Sequence, residues 1–357
     1  MNSVKKLLRV LADALFIITL AFAAWLYNLQ FTPHGRLTLR SAILLRFFDH
    51  ADPDQWTTQH LIANRQRAHR ETFDLEPVAD RRTIELPRFR VHIYKPEAKG
   101  PLPVLIAYHG GGFYFDFIPM AEAYYRHLAN QTGWMVVAPD YRVAPEHPYP
   151  AAVNDCYDTF KWVLGNIAAE QGDTSRIVLW GDSAGGNLAA VVTQRARTEG
   201  LSGHIDQQVL IYPAVDMTCE KSPSIQKYNG YLMSETLLRF LQQTYAGGAD
   251  CRNPELSPSL STDFRNLPPC LLVTAEFDPL HDQGIEYLAK LKKSGIATQH
   301  REFRGMLHGF AGAMHYFTDE NEELIRLAAH TLNRVSGREL ARRQIKRRSS
   351  ELIAKQP

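Results

Sequence analysis

Eight short apolar runs, separated by stretches of helical periodicity, constrain this chain more than any other feature of its sequence. They are RTIEL (82–86), FRVHIY (89–94), VLIAYH (104–109), MVVAPD (135–140), IVLWGD (177–182), QVLIYP (208–213), CLLVTAE (270–276) and TQHREF (298–303). Helices are expected between and after them, over 119–131, 150–169, 185–198, 234–244, 280–294 and 319–335. Strands that alternate with helices imply an open, mostly parallel sheet with helices on both faces. The middle runs show little polar alternation, as strands buried on both faces require. The expected class is therefore α/β, with a mostly parallel eight-stranded sheet. The chain has 357 residues, enough for one large domain of this type and an appendage. The gap from 214 to 269 is too long for one crossover helix, so it is expected to hold an inserted helical piece. Residues 36–75 also read as helical, with Ile43, Leu44, Leu45, Phe47 and Phe48 in one stretch, and form a candidate lid.

The run IVLW leads directly into Gly181-Asp182-Ser183-Ala184-Gly185-Gly186, which opens a helical stretch. A G-x-S-x-G in strand–turn–helix context is a nucleophile elbow: the turn strains the serine backbone and presents its hydroxyl at the carboxyl end of the sheet. The run VLIAY leads into His109-Gly110-Gly111-Gly112. Consecutive glycines after a strand supply backbone N–H donors that no side chain crowds, which a tetrahedral oxyanion needs. Gly110, Gly111, Gly112 and Ala184 are the candidate donors. The loop matches neither phosphate-binding pattern, G-x-x-x-x-G-K-[ST] or G-x-G-x-x-G. A serine hydroxyl needs a base to take its proton and an acid to orient that base. In this arrangement the chain order is Ser, acid, His. Asp278 lies in the loop after CLLVT and is favoured over Glu276, nearer the strand end, and Asp282, on the next helix. His308, between Gly305 and Gly309, is the candidate base. His300, within a strand, and His315, expected within a helix, suit surface or packing roles.

These motifs, with Tyr141-Arg-Val-Ala-Pro-Glu-His-Pro-Tyr-Pro-Ala-Ala152, Ala275-Glu-Phe-Asp-Pro-Leu280 and Gly305-Met-Leu-His-Gly-Phe310, resemble the hormone-sensitive-lipase-like family of α/β-hydrolases over roughly residues 75–335. The resemblance implies Ser183, Asp278 and His308 as a catalytic triad, and the glycine loop with Ala184 as an oxyanion hole. It also implies a cap built from the segment before the sheet and the 214–245 insertion. Tyr141, Arg142 and Glu146 read as structural ties. The family commonly has a further small residue shortly after the glycine loop, whereas this chain continues Phe113-Tyr-Phe-Asp-Phe117, which bears on pocket shape and not on the chemistry. The implied activity is that of a serine carboxylesterase acting on short-to-medium acyl esters, with an amidase or deacetylase as the alternative. Neither a metal nor an organic cofactor is implied. The same family includes a plant hormone receptor that has lost the catalytic histidine; here every triad position is present.

Four further expectations concern the rest of the chain. Residues 14–27 carry no charge and follow Lys5, Lys6 and Arg9, so residues 1–31 read as a membrane anchor or signal segment. Ala21-Phe22-Ala23 fits a cleavage site, while Trp25 and Tyr27 suit an interfacial belt, and a soluble amphipathic helix is the third reading. A retained single-pass anchor would leave the catalytic domain on the non-cytoplasmic side; Asp13 and Arg36, Arg40 and Arg46 oppose that placement. The division is then 1–31, a helical cap segment 32–80, a hydrolase domain 81–335 and a basic tail 336–357. Lys plus Arg is 40 against Asp plus Glu 38, which gives no electrostatic argument for nucleic acid. Cys156 and Cys270 read as small buried hydrophobes, and Cys219 and Cys251 pair only if the domain is exported.

Overall fold

The structure, a computed structural model, describes residue 15 and residues 18–48, 56–218 and 222–331. Residues 18–29 form helix α1. A two-residue hairpin follows, β1 (Phe31–Thr32) with β2 (Gly35–Arg36), and then helices α2 (Leu39–Phe48) and α3 (Thr58–Ala68). The main sheet begins with β3 (Asp80–Glu85), β4 (Arg90–Lys95) and β5 (Leu102–Tyr108). Helix α4 (Pro119–Thr132) leads to β6 (Met135–Asp140), α5 (Ala151–Asn166) to β7 (Gly172–Asp182), and α6 (Ala184–Thr198) to β8 (Gln207–Ile211). Helices α7 (Pro223–Lys227) and α8 (Glu235–Ala246) interrupt the alternation. It resumes with β9 (Cys270–Phe277), α9 (His281–Lys293), β10 (Thr298–Leu307) and helix α10 over residues 318–331.

The eight strands β3–β10 make one sheet in the order β10-β9-β8-β7-β5-β6-β4-β3. Strand β4 runs antiparallel to both its neighbours, β3 and β6, and the other seven strands point the same way. All eight expected apolar runs are strands of this sheet. One face packs beneath α5, α6 and α9, with Val104, Ile106, Leu179, Leu188 and Tyr287 in its core. The other packs beneath α4 and α10, with Leu105, Val136, Trp180, Val209 and Leu324. Burial on both faces explains why the central runs lack polar alternation.

The structure departs from the sequence reading at three places. Strand β7 starts at Gly172, ahead of the apolar run, because Leu102 and Pro103 pair with Gly172 and Asp173 before an irregularity in register. The Asp173 carboxylate secures this polar extension by accepting from Ser175 and Arg176. The apolar helix ends at Leu29. Phe31 leaves it to pair with Arg36, through a turn in which Gly35 adopts φ +138° and the Thr32 hydroxyl donates to the Gly35 carbonyl. His315 lies in a turn ahead of α10, packed against Phe73 and Tyr316.

Helices α2, α3, α7 and α8 gather over the carboxyl end of the sheet. Gly305, at φ +69°, donates its N–H to Glu276 Oε2 at 2.7 Å, and its carbonyl accepts from Thr38 N–H at 2.9 Å. A Cβ there would press on Thr38 N, so only glycine lets the leading segment dock on β10. Arg65 of α3 donates to the Tyr114 carbonyl and pairs with Glu146, and Phe113 stacks on Tyr245 of α8 with ring centres 3.7 Å apart. Helix α8 is capped at its start by Ser234, whose hydroxyl accepts from Leu237 N–H, and ends at Gly247 with φ +58°.

Residues 18–29 carry no charge, and Leu15, Ile18, Leu20, Phe22, Trp25 and Tyr27 are exposed. Among the described residues no helix is long and apolar enough to cross a membrane. Lys5, Lys6, Arg9 and Asp13, the basic tail 336–357 and Cys219 lie outside the described residues. Cys156 and Cys270 are buried thiols, and Cys251 is a half-buried one.

Candidate active site

Strands β5 and β7 lie side by side, but the chain leaves them in opposite directions, β5 toward β6 and β7 toward β8. Their following loops therefore diverge and open a crevice at the carboxyl edge of the sheet, the place where open α/β sheets bind ligands. The glycine loop 109–112 follows β5, and Ser183 follows β7.

Ser183 has φ 52° and ψ −116°, a conformation that L-residues seldom adopt. Its surroundings hold it there. Its N–H donates to the Ile211 carbonyl at 2.9 Å and its carbonyl accepts from Ala214 N–H. A Cβ on Gly181 would collide with the Gly185 backbone, and one on Gly185 with the Tyr108 carbonyl. The two glycines are therefore what lets α6 begin so close to β5 and β7. The Ser183 hydroxyl lies 2.8 Å from His308 Nε2, and His308 Nδ1 lies 2.8 Å from Asp278 Oδ2. A carboxylate only accepts, so Nδ1 carries the proton and Nε2 is left to accept from the hydroxyl. Asp278 is fully buried, and its other oxygen accepts from Leu280 N–H at 2.8 Å. Three residues from three strand ends, β7, β9 and β10, thus form one hydrogen-bonded line.

The glycine loop requires a correction to the expected donor set. Gly110 N–H is already engaged, donating to Asp182 Oδ1 at 2.9 Å. It cannot also point at an oxyanion. Gly111 and Gly112, at φ +118° and +59°, and Ala184, the first residue of α6, remain as candidate donors. The Asp182 contact is what orients the loop. Burial pushes the Asp182 carboxyl up to about 6, partly offset by Gly110 N–H and by the nearby His308. Tyr141 supports the loop from behind: its hydroxyl donates to the His109 carbonyl at 2.7 Å, and its ring stacks on His109.

The remaining alternatives sit elsewhere. Glu276 serves Gly305, Asp282 accepts from Ser224 N–H, and His300 bonds to Thr274 along the sheet. Arg142 clamps the fully buried Asp155 through two side-chain bonds of 2.9 Å, in keeping with a structural tie. Three residues with a part in the site escaped the sequence reading. Asp182 reads only as the variable position of an elbow motif. Tyr212 reads as core, yet its hydroxyl accepts from Ala311 N–H and its ring lies against His308, which fixes the loop that carries His308. Asn187 reads as a helix residue, yet its amide donates to the carbonyls of Ala214 and Leu256 beneath the elbow.

Above Ser183 the crevice widens into a cavity of about 670 Å³. Leu237, Leu238 and Leu241 of α8, Met217 and Leu280 line one side, and Phe115, Ile118 and Met120 the other. Trp56, Asn64, Arg67 and Glu71 form part of its mouth. Among the described residues no cluster of His, Cys, Asp or Glu could hold a metal ion.

A family model described as the alpha/beta hydrolase fold matches residues 105–312. An ethyl acetate hydrolase of Pseudomonas putida is 33% identical over 240 residues, which cover 66% of this chain and 75% of that protein. The carboxylic ester hydrolase LipN of Mycobacterium tuberculosis is 37% identical over 224 residues, 61% of this chain and 59% of its own length, so the match spans about three fifths of that relative. Among solved structures, the Pyrobaculum calidifontis esterase superposes with a TM-score of 0.73 at 34% identity, covering 84% of this chain and 99% of that one.

Proposed function

The chain belongs to the hormone-sensitive-lipase-like family of α/β-hydrolases, and from that premise we propose that Ser183, His308 and Asp278 are the nucleophile, base and orienting acid of its carboxylesterase activity. The protein is a serine ester hydrolase. The observation that carries the assignment is the line Asp278–His308–Ser183, with both links at 2.8 Å, on a serine held at positive φ. The Ser183 hydroxyl attacks the ester carbonyl as His308 Nε2 takes its proton. Gly111, Gly112 and Ala184 N–H groups receive the oxyanion. His308 then returns the proton to the departing alcohol, and a water activated by the same nitrogen hydrolyses the acyl-enzyme. Asp278 keeps Nδ1 protonated throughout. The bounded, largely apolar cavity under α3 and α8 supports short-to-medium acyl chains as substrates. Helices α2, α3, α7 and α8 are read as its cap. Ser183→Ala is expected to lower kcat about 10⁴–10⁶-fold while near-ultraviolet circular dichroism is retained. The assay is a p-nitrophenyl ester series of rising chain length with an N-acyl anilide alongside. Near-normal turnover by the variant would remove Ser183 from its role, and faster cleavage of the anilide would favour the amidase reading.

A second reading concerns where the enzyme works. A helix that is apolar all round, with no covering partner among the described residues, is stable only against another apolar phase. Beside the end of α1, Arg36 lies over the rings of Tyr27 and Phe31 at 5.2 and 5.8 Å, an aromatic and cationic cluster of the kind that sits at lipid headgroups. Attachment of α1 to a lipid surface accounts for both features. The full chain is expected to sediment with phospholipid vesicles and Phe22→Glu to stay in solution. Equal sedimentation of the two, or of neither, would refute the attachment.

A further inference from the structure

Three consecutive residues of the loop after β5 hold positive φ: Gly111 at +118°, Gly112 at +59° and Phe113 at +62°. Glycine adopts such angles freely, but a bulky side chain seldom does, and keeps them only where its surroundings fix it. Phe113 is buried, and two contacts hold it. Its carbonyl accepts from Ala144 N–H at 2.9 Å, and its ring lies flat on that of Tyr245, with centres 3.7 Å and planes 5° apart. Tyr245 is itself fixed. Its carbonyl accepts from Tyr149 N–H at 2.8 Å, and the Tyr149 ring meets its own edge-on. The buried Tyr245 hydroxyl has no hydrogen-bond partner among the described residues, so what this side chain supplies is its ring. One turn earlier in α8, Leu241 reaches the same loop: a Cβ on Gly112 would come within 3.1 Å of its Cδ1. Helix α8 therefore bears on two successive loop residues, and the first of them carries an N–H read above as an oxyanion donor.

We propose that Tyr245 is a positioning residue for ester hydrolysis: its ring holds Phe113 at positive φ, and Phe113 in turn sets where the Gly111 and Gly112 N–H groups point. Donors stabilise an oxyanion only within a narrow range of distance from it. A loop that relaxes therefore loses stabilisation of the transition state while substrate binding changes little. This inference rests on the ester-hydrolase reading and adds to it a residue of α8 that does not line the cavity.

The test compares Tyr245→Leu, which removes the stack but keeps apolar bulk, with Tyr245→Phe, which keeps the ring. Two measurements are made on each: kcat and KM for p-nitrophenyl butyrate, and Ki for an alkyl trifluoromethyl ketone. The Ser183 oxygen adds to the ketone carbon, the hydroxyl proton passes to His308, and the ketone oxygen becomes the oxyanion. Tyr245→Leu is expected to lower kcat about tenfold to a hundredfold, with KM within about twofold of wild type, and to raise Ki by a similar factor to the loss in kcat. Tyr245→Phe is expected to match the wild-type chain in both measurements. Ki does not depend on how much of the protein is folded, so it separates a displaced loop from a loss of active enzyme. Phe113→Gly suits the backbone angle but lacks the ring; it is expected to behave as Tyr245→Leu and carries the test where that variant does not fold. A fall in kcat with unchanged Ki would overturn the proposal. So would wild-type kinetics in Tyr245→Leu or Phe113→Gly, or a loss in Tyr245→Phe equal to that in Tyr245→Leu. A wild-type chain that neither cleaves the ester nor binds the ketone would count instead against the underlying esterase reading.

Discussion

Asp182 accepts Gly110 N–H and so shapes the glycine loop, from a half-buried position on the wall of the cavity. Its folded-state value, about 6, is above the ordinary 3.8, so between those two pH values the folded chain binds more protons than the unfolded one. Stability therefore falls as pH rises through that window and stays lowered above it. The deficit at pH 8 is on the order of 3 kcal/mol, since each tenfold change in proton affinity is worth about 1.36 kcal/mol. Asp182→Asn, which keeps an acceptor oxygen, is expected to raise the melting temperature at pH 8 and to change it little at pH 4. Esterase activity should fall, because a neutral amide holds the Gly110 N–H less firmly than a carboxylate. Equal melting shifts at the two pH values would show that Asp182 is not the titrating group. That Ser183, Asp278 and His308 come together was legible in the sequence because each sits in a motif beside a strand end. Gly110 was misassigned because sequence shows that the loop has donors, and only the fold shows which donor Asp182 already occupies. Tyr212 was invisible for a related reason: an aromatic residue at a strand end reads as core, and only the fold brings its hydroxyl to Ala311.

At the scale of elements, the strands were readable because burial on both faces leaves unbroken apolar runs. The polar beginning of β7 carries no such signal, since pairing with β5 makes it a strand and its own residues do not. The β1–β2 hairpin was missed because two-residue strands have no periodicity to detect. Two substitutions test how the helices are held. Gly165 is exposed near the end of α5, and a Cβ there would meet nothing within 4 Å. Gly165→Ala is expected to stabilise the chain by about 0.5–1 kcal/mol in urea unfolding. The loop after β6 is tied to α5 by Arg142, which grips the fully buried Asp155. Arg142→Ala strips a buried carboxylate of its counter-ion and is expected to cost about 3 kcal/mol in the same measurement. A loss below about 1 kcal/mol would mean that Arg88, 3.9 Å from Asp155, takes over the pairing.

Across the whole molecule, the reacting groups divide between two parts of the sheet. The proposed nucleophile and oxyanion donors follow β5 and β7 at its centre, and the proposed base and acid follow β10 and β9 toward its margin. The class and order of these elements followed from the alternation of runs; the arrangement of α2, α3, α7 and α8 over them did not, because the chemistry of a lid lies in what it touches. Strand β10 has a neighbour on one side only, and its first residues, among them Gln299, His300 and Arg301, are exposed. Marginal strands of this kind open at lower free energy than central ones. Trp180, fully buried in β7, reports on the centre in a variant whose four other tryptophans are replaced by phenylalanine. In a urea titration, hydrolysis of a p-nitrophenyl ester should fail at a lower concentration than the one that shifts tryptophan emission, and coincident midpoints would show that the sheet opens as a unit. A cell that meets mild heat or denaturant would then hold a population of this enzyme that is silent yet still largely folded, and that regains its function by re-closing one strand instead of refolding the chain.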